Sequence, residues 1–304
     1  MTDAPSSMPI SHPPLTLEEI EEARTRIEGA AIRTPLVRLE IDLPETEIYL
    51  KLEVLQPVGS FNLRGAGSLI GSVGSDDVAD GVWTASAGNM AQAVAWFARR
   101  EGLPCTVVMP DTAPDAKTSA VERLGASIVK VTFDEWLAVF RSRAFPGMRG
   151  LFVHPFSDRH VMAGNATIGV EILEDLPEAD AVLVPYGGGG LSCGIASAIR
   201  AGAPRTKVFA AEIATAAPLS ASLAAGEPVV VPYTPSFVDG IGSPAVFPEM
   251  FELARTLLDG SLVVEPDQAA NAVRLLATRA HIVAEGAGAV PVAAATAGLA
   301  GSGR

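Results

Sequence analysis

The chain has 304 residues, a formal charge of −13 and a sequence pI near 4.8, with 48% hydrophobic and 19% charged residues. That acidity argues against a nucleic-acid partner, which needs a basic face to displace counterions, and the apolar share excludes disorder. Two cysteines, Cys105 and Cys193, are too few for a disulfide framework or a zinc cluster and read as buried small hydrophobes in a reducing compartment.

Residues 1–15, with an acid, several prolines and no apolar core, read as a loose tail rather than a secretory leader. Thr16-Leu17-Glu18-Glu19 has the capping-box pattern, and Ile20, Ala23 and Ile27 then share one helical face until Thr34-Pro35 closes the segment. Residues 47–54 alternate, with Ile48, Leu50, Leu52 and Val54 on one side and Tyr49, Lys51 and Glu53 on the other, as in a half-buried strand. Short apolar runs come next at 82–85, 106–109, 127–131, 151–153, 181–185, 207–211 and 262–264. Helix-like stretches at 90–100, 114–124, 133–143, 191–200 and 267–281 alternate with them. Continuous apolar strands separated by helices predict an α/β fold, with parallel sheets covered on both faces. Residues 286–301 fall short of the ~20 apolar residues of a membrane span and read as a buried helix, so the expectation is a cytoplasmic protein with no membrane partner.

In such sheets ligands sit beyond the carboxyl ends of strands, where loops deliver backbone N–H groups at helix N-termini. Two junctions fit. Pro185-Tyr186 leads into Gly187, Gly188, Gly189 and Gly190, where several amides can converge on one phosphate; a tight structural turn is the alternative. At the second, residues 82–85 run into Ser86, Ala87, Gly88 and Asn89, where Ser86 or Asn89 either caps the next helix or touches a ligand, with capping the simpler reading. Neither junction has the dinucleotide fingerprint. His12, His154, His160 and His281 lack metal-ligand spacing, so no metal site is expected.

These segments together resemble the fold-type II pyridoxal-phosphate enzymes of the threonine dehydratase and serine racemase group, in the tryptophan synthase β-like fold. The resemblance rests on Lys51-Leu52-Glu53 with Gln56-Pro57-Val58-Gly59-Ser60-Phe61 and Arg64-Gly65-Ala66. It continues through Ser86–Asn89, the four-glycine loop, Asp239-Gly240, and Glu285-Gly286-Ala287-Gly288. It implies two parallel-sheet domains, a smaller one for substrate at 81–150 and a larger cofactor-phosphate domain from 1–80 and 151–304, and a homodimer. It further implies that Gly187–Gly190 hold the phosphate of pyridoxal 5′-phosphate, that Asn89 meets the ring's 3′-oxygen, that Phe61 packs on the ring, and that Glu285 belongs to the cofactor site. Ser86, Ala87, Gly88 and Asn89 would receive the substrate carboxylate. Ala87 stands where racemases carry the serine that reprotonates the far face, which favours dehydration of small hydroxy amino acids to a 2-oxo acid and ammonia.

Two departures stand out. The group's Schiff-base lysine is replaced by Asn62, which offers neither a primary amine nor a base for the α-proton. The group also continues into a strand that meets the pyridine nitrogen, where this sequence ends at Arg304. Cofactor binding is therefore expected to be non-covalent, and a catalytically silent homologue stands as the alternative to a dehydratase. Of the four lysines, Lys51, Lys117, Lys130 and Lys207, each reads as a surface residue rather than a substitute for the missing one. Glu212 resembles an acid near a cation site, but Pro218 stands where a further ligand is expected, so no bound metal is implied.

Overall fold

The computed structural model describes residues 12–303. Most of the expected tail, residues 1–11, lies outside them. The remainder of that segment is not loose: Leu15 is buried and its amide donates to Ser197 Oγ at 3.2 Å, while the Pro13 carbonyl accepts from Arg159.

Helix α1 (Leu17–Arg26) opens on the capping box, with Thr16 Oγ1 accepting from the Glu19 amide and the Glu19 carboxylate accepting from Thr16 N. It stops well before Thr34-Pro35, because residues 27–30 form turns in which Gly29 takes a left-handed φ of 71°. Strands β1 (Leu36–Arg38) and β2 (Tyr49–Lys51) pair antiparallel. The alternation over 47–54 is realised as strand only in β2, since Glu53–Leu55 turn into a 3-10 helix that carries the Glu53 carboxylate inward.

After α2 (Asn62–Ile70) come β3 (Val82–Ala85), α3 (Asn89–Glu101), β4 (Cys105–Pro110), α4 (Asp115–Arg123), β5 (Ser127–Val131), α5 (Phe133–Ser142) and β6 (Leu151–Phe152). The four strands form one parallel sheet in the order β5-β4-β3-β6. Val82 and Val107 pack against residues of α2 and α3 on one face. Trp83, Ala85 and Val108 pack against Val139 and Phe140 of α5 on the other.

Next come α6 (Arg159–Asp175), β7 (Ala181–Pro185), α7 (Gly190–Gly202), β8 (Lys207–Ile213), α8 (Pro218–Ala225), α9 (Pro248–Leu257), β9 (Gly260–Val264), α10 (Pro266–Leu275) and α11 (Gly286–Thr296). Strands β7-β8-β9 form a second parallel sheet. Val182, Val184, Val208 and Ala210 face α6, α7 and α9, while Leu183, Ala211 and Ile213 face α10 and α11. Both sheets therefore have helices on both faces, the α/β architecture that the apolar runs predict. A π-turn at Leu276–Ala280 extends α10 to His281. Helix α11 is the buried helix expected near the end, and no helix among the described residues is long and apolar enough to cross a membrane.

Among the described residues, β2 pairs with β1 alone and β7 with β8 alone; between β2 and β7 lies a mainly apolar cavity of about 590 Å³. Phe61, Pro185 and Leu191 line it at the carboxyl end of β7. At the other end Gly303 bridges Thr46 in parallel sense, its carbonyl accepting from Glu47 N at 3.0 Å.

Candidate functional site

Residue 62 opens a helix that is buried along its whole length, so the one charge on α2 must be matched inside the protein. Arg64 is that charge. Its guanidinium donates to Glu53 Oε1 and Oε2 at 2.8 and 2.9 Å, to Glu171 Oε1 and Oε2 at 2.6 and 2.9 Å, to Thr167 Oγ1 at 3.0 Å and to the Ile32 carbonyl at 3.1 Å. Burial pulls the guanidinium pKa down, but the bonds to Glu171 and Glu53 outweigh it and hold it above its ordinary value. Lys51 joins the same network. Its ammonium lies 2.6 Å from Glu171 Oε2 and donates to the Thr34 carbonyl at 2.6 Å, with only 7% of the side chain exposed. The surface reading of Lys51 is therefore corrected: the buried Glu171 carboxylate draws it inward from β2. This network fixes the start of α2, where Phe61 meets the cavity and Asn62 stands nearly buried. Asn62 Oδ1 accepts from Ser60 Oγ at 2.7 Å, and Ser60 Oγ in turn accepts from the Asn62 amide.

Neither Ser86 nor Asn89 caps α3, whose N-cap is Gly88 without a side-chain bond. Ser86 Oγ accepts from the Gly88 amide at 3.1 Å, closing a local turn, so the capping expectation is not met. Asn89 instead reaches across the fold, its Nδ2 donating to Glu285 Oε1 at 3.0 Å. The amides of Ala87 and Asn89 have no acceptor within the described protein. Burial raises the Glu285 pKa, with Asp239 adding to the rise, while the Asn89 bond and Lys117 oppose it.

The four-glycine loop comes directly after β7. Gly188 and Gly190 pass so close to Phe156 that a Cβ on Gly188 would fall inside its ring contacts and one on Gly190 would lie 2.7 Å from Phe156 Cα. Gly189 takes φ +91°, open only to glycine at low cost. Packing thus explains Gly188 and Gly190 and backbone conformation Gly189, while a Cβ on Gly187 would have ordinary room, 3.6 Å from the Gly240 carbonyl. The amides of Gly187, Gly188 and Gly189 have no acceptor within the described protein, and the first turn of α7 adds further unpaired N–H groups. Beside them the Tyr186 hydroxyl is buried and unpartnered. A cluster of donors with no acceptor is what a phosphate group requires, so the residues present fit pyridoxal phosphate on this loop.

Asp239 and Gly240 tie these pieces together. A Cβ on Gly240 would lie 2.9 Å from Glu285 Oε1, and Asp239 Oδ2 accepts from Lys117 Nζ at 2.6 Å. Glycine loop, Gly240, Glu285 and Asn89 are therefore contiguous, and Lys117 of α4 is bonded across to the same segment rather than lying free on the surface. Phe61 and Leu191 share the adjoining cavity, which brings the start of α2 to the start of α7. Lys130 and Lys207 are exposed on their strands.

Other expected residues have structural duties. Glu212 accepts from the α8 amides of Leu219 and Ser220 at 2.9 and 2.7 Å and from Ser261 Oγ at 2.6 Å, and burial raises its pKa. His154 is buried, accepts from the Ser157 amide at 2.9 Å, and burial pushes its pKa down to about 3. Burial pushes both cysteine thiols up to about 12, as inert buried groups. The sequence reading missed Tyr186, Phe156 and Glu171. For Glu171 the signal was present: an arginine in an apolar helix demands buried acids.

The family profile described as "Pyridoxal-phosphate dependent enzyme" matches residues 27–303. An L-threonine ammonia-lyase of Thermotoga maritima is 41% identical over 285 residues, covering 92% of this chain and 71% of the relative. The solved structure of maize serine racemase superposes with a TM-score of 0.88 at 30% identity, covering 95% of this chain and 91% of that one. The processed form of threonine deaminase isoform 2 from Solanum lycopersicum superposes with a TM-score of 0.82 at 32% identity, covering 98% and 89%.

Proposed function

This chain belongs to the pyridoxal-phosphate-dependent enzymes, and from that membership we propose a threonine- or serine-dehydratase-like protein that holds the cofactor without a lysine anchor. It takes small hydroxy amino acids and converts them to a 2-oxo acid and ammonia at a rate limited by Asn62. The observation that carries this reading is the donor-only loop at Gly187–Gly189, contiguous through Gly240 with Glu285 and Asn89.

In this proposal the loop amides and the α7 N-terminus bind the phosphate. Asn89 keeps a second Nδ2 hydrogen and its Oδ1 for the ring's 3′-oxygen, because only one Nδ2 hydrogen is spent on Glu285. Phe61 supplies an apolar face. The amides of Ala87 and Asn89, with the Ser86 hydroxyl, receive the substrate carboxylate at the start of α3. When bound, pyridoxal phosphate supplies an electron sink for bond breaking at the amino acid's α-carbon. Ala87 offers no hydroxyl to the opposite face, which supports dehydration over racemisation. The Asn62 carboxamide can orient a neighbouring group but cannot take a proton from it at neutral pH.

A specific observation favours a second reading, a silent homologue that binds without turnover. Ser60 holds the Asn62 amide where the family carries an amine, and Lys51 and Lys117 are both committed to carboxylates. Titration with pyridoxal phosphate, followed by 2-oxo acid assay with L-threonine and L-serine, separates the readings. Saturable binding with slow product supports the dehydratase, and binding without product supports the silent homologue. Absence of cofactor binding overturns both.

A further inference from the structure

Tyr186 extends the alternation of β7. Val182, Val184 and Tyr186 are buried on the same face, so the phenol ring enters the core beneath the start of α7, among Cys193, Met250 and Phe251. The residue is 2% exposed, yet its hydroxyl has no hydrogen-bond partner among the described residues. The oxygen is not remote from the loop. A Cβ placed on Gly189, the N-cap residue of α7, would lie 3.0 Å from Tyr186 Oη and 3.2 Å from its Cε2.

A phenylalanine would fill the same space without burying an unpaired polar atom. On the Gly189 side the amides of Gly187, Gly188 and Gly189 and the first turn of α7 also have no acceptor among the described residues, so one acceptor entering there would serve both them and the hydroxyl. We propose that the Tyr186 hydroxyl donates a hydrogen bond to the phosphate group held by the glycine loop, making it a side-chain ligand in an otherwise main-chain cradle. Burial keeps the phenol pKa well above its ordinary value, so the group stays a neutral donor across the working pH range. The inference rests on the reading of this loop as the cofactor's phosphate site. The chemistry it names is a phosphate dianion, supplied by pyridoxal phosphate or by inorganic phosphate.

The test compares the 304-residue chain with its Tyr186→Phe variant, titrated separately with pyridoxal phosphate, with pyridoxal lacking the phosphate, and with inorganic phosphate. The expected result is about a tenfold loss of affinity for pyridoxal phosphate and for inorganic phosphate, with pyridoxal binding unchanged. Equal losses for pyridoxal and its phosphate would assign Tyr186 a packing role and overturn the proposal, as would unchanged affinity for all three. If wild type binds inorganic phosphate but not pyridoxal phosphate, and the variant weakens it, the donor role stands while the cofactor reading falls. Wild type binding neither ligand overturns both. A measurement that needs no variant is the tyrosine ultraviolet difference spectrum. Inorganic phosphate should perturb a buried tyrosine in wild type, and a flat difference spectrum at saturation contradicts the assignment.

Discussion

Asn89 Nδ2 lies 3.0 Å from Glu285 Oε1, so one hydrogen bond joins the start of α3 to the start of α11 across 196 residues of sequence. The bond favours the Glu285 carboxylate and so opposes the larger effect of its burial. Burial raises the Glu285 pKa, so the folded state binds this proton more tightly than the unfolded chain does. As pH rises from below the ordinary carboxylate value of 4.5, folding stability contributed by this group is lost until the raised folded pKa is passed. Glu285→Gln keeps an acceptor for Asn89 and removes the charge. The variant should match wild type in denaturant midpoint near pH 4 and exceed it at pH 7. An equal midpoint at both values would mean that the carboxylate is not held in a desolvated site.

Within the Arg64 network, Glu171 faces two cations, Arg64 and Lys51. Glu171→Ala leaves both buried charges with reduced compensation, a change that typically costs about 3–5 kcal/mol. Urea unfolding should show that loss, while Arg24→Ala, which removes an exposed pair to Glu174, should cost under about 1 kcal/mol. A loss below about 1 kcal/mol for Glu171→Ala would show that water replaces the lost partner.

Two neighbouring glycines of the loop should respond differently to alanine. On Gly188 the new Cβ meets the Phe156 ring, so the aromatic must shift and stability falls by about 1–3 kcal/mol. On Gly187 the nearest atoms are at 3.6 Å, an ordinary contact. Gly187→Ala should therefore change the melting midpoint little, yet weaken pyridoxal phosphate by narrowing the approach to the amides. Calorimetric melting and cofactor titration of both variants check the pair, and parallel behaviour of the two would contradict the division.

Much of the fold was legible because its strands obey a simple rule. Residues 82–85 and 181–185 are largely apolar runs between polar breaks, and 127–131 is a shorter apolar pattern interrupted by Lys130; β3, β7 and β5 occupy those same residues. Helices α2 and α6 are harder to read, since both are buried nearly all round and lack the polar stripe that marks a surface helix. The site divides similarly. Its glycine and Ser86–Asn89 segments are local patterns, so sequence exposes them. The positions of Lys51 and Tyr186 depend on what packs against them, Glu171 of α6 in one case and the cap of α7 in the other. The buried Lys51 shows the limit of alternation: β2 sets which way the side chain points but not that a carboxylate waits there.

Asn62 is where sequence and scaffold diverge most sharply. Arg64, Glu53 and Glu171 hold the start of α2 rigidly, Phe61 lines the cavity, and Ser60 Oγ donates to Asn62 Oδ1 at 2.7 Å. A longer amine at residue 62 would grow from a backbone that is already positioned, so Asn62→Lys tests the proposal that this side chain limits the rate. Restoring a general base typically contributes about 10²–10⁴-fold, and 2-oxo acid formation from L-threonine or L-serine should rise by that order. Borohydride reduction followed by peptide mapping should at the same time place a pyridoxyl group on residue 62 of the variant and on no lysine of wild type. If the adduct forms without a gain in rate, the anchor has been restored and the defect lies elsewhere in the site. An adduct on Lys117 of wild type would instead show that the amine bonded to Asp239 can leave it and anchor the cofactor.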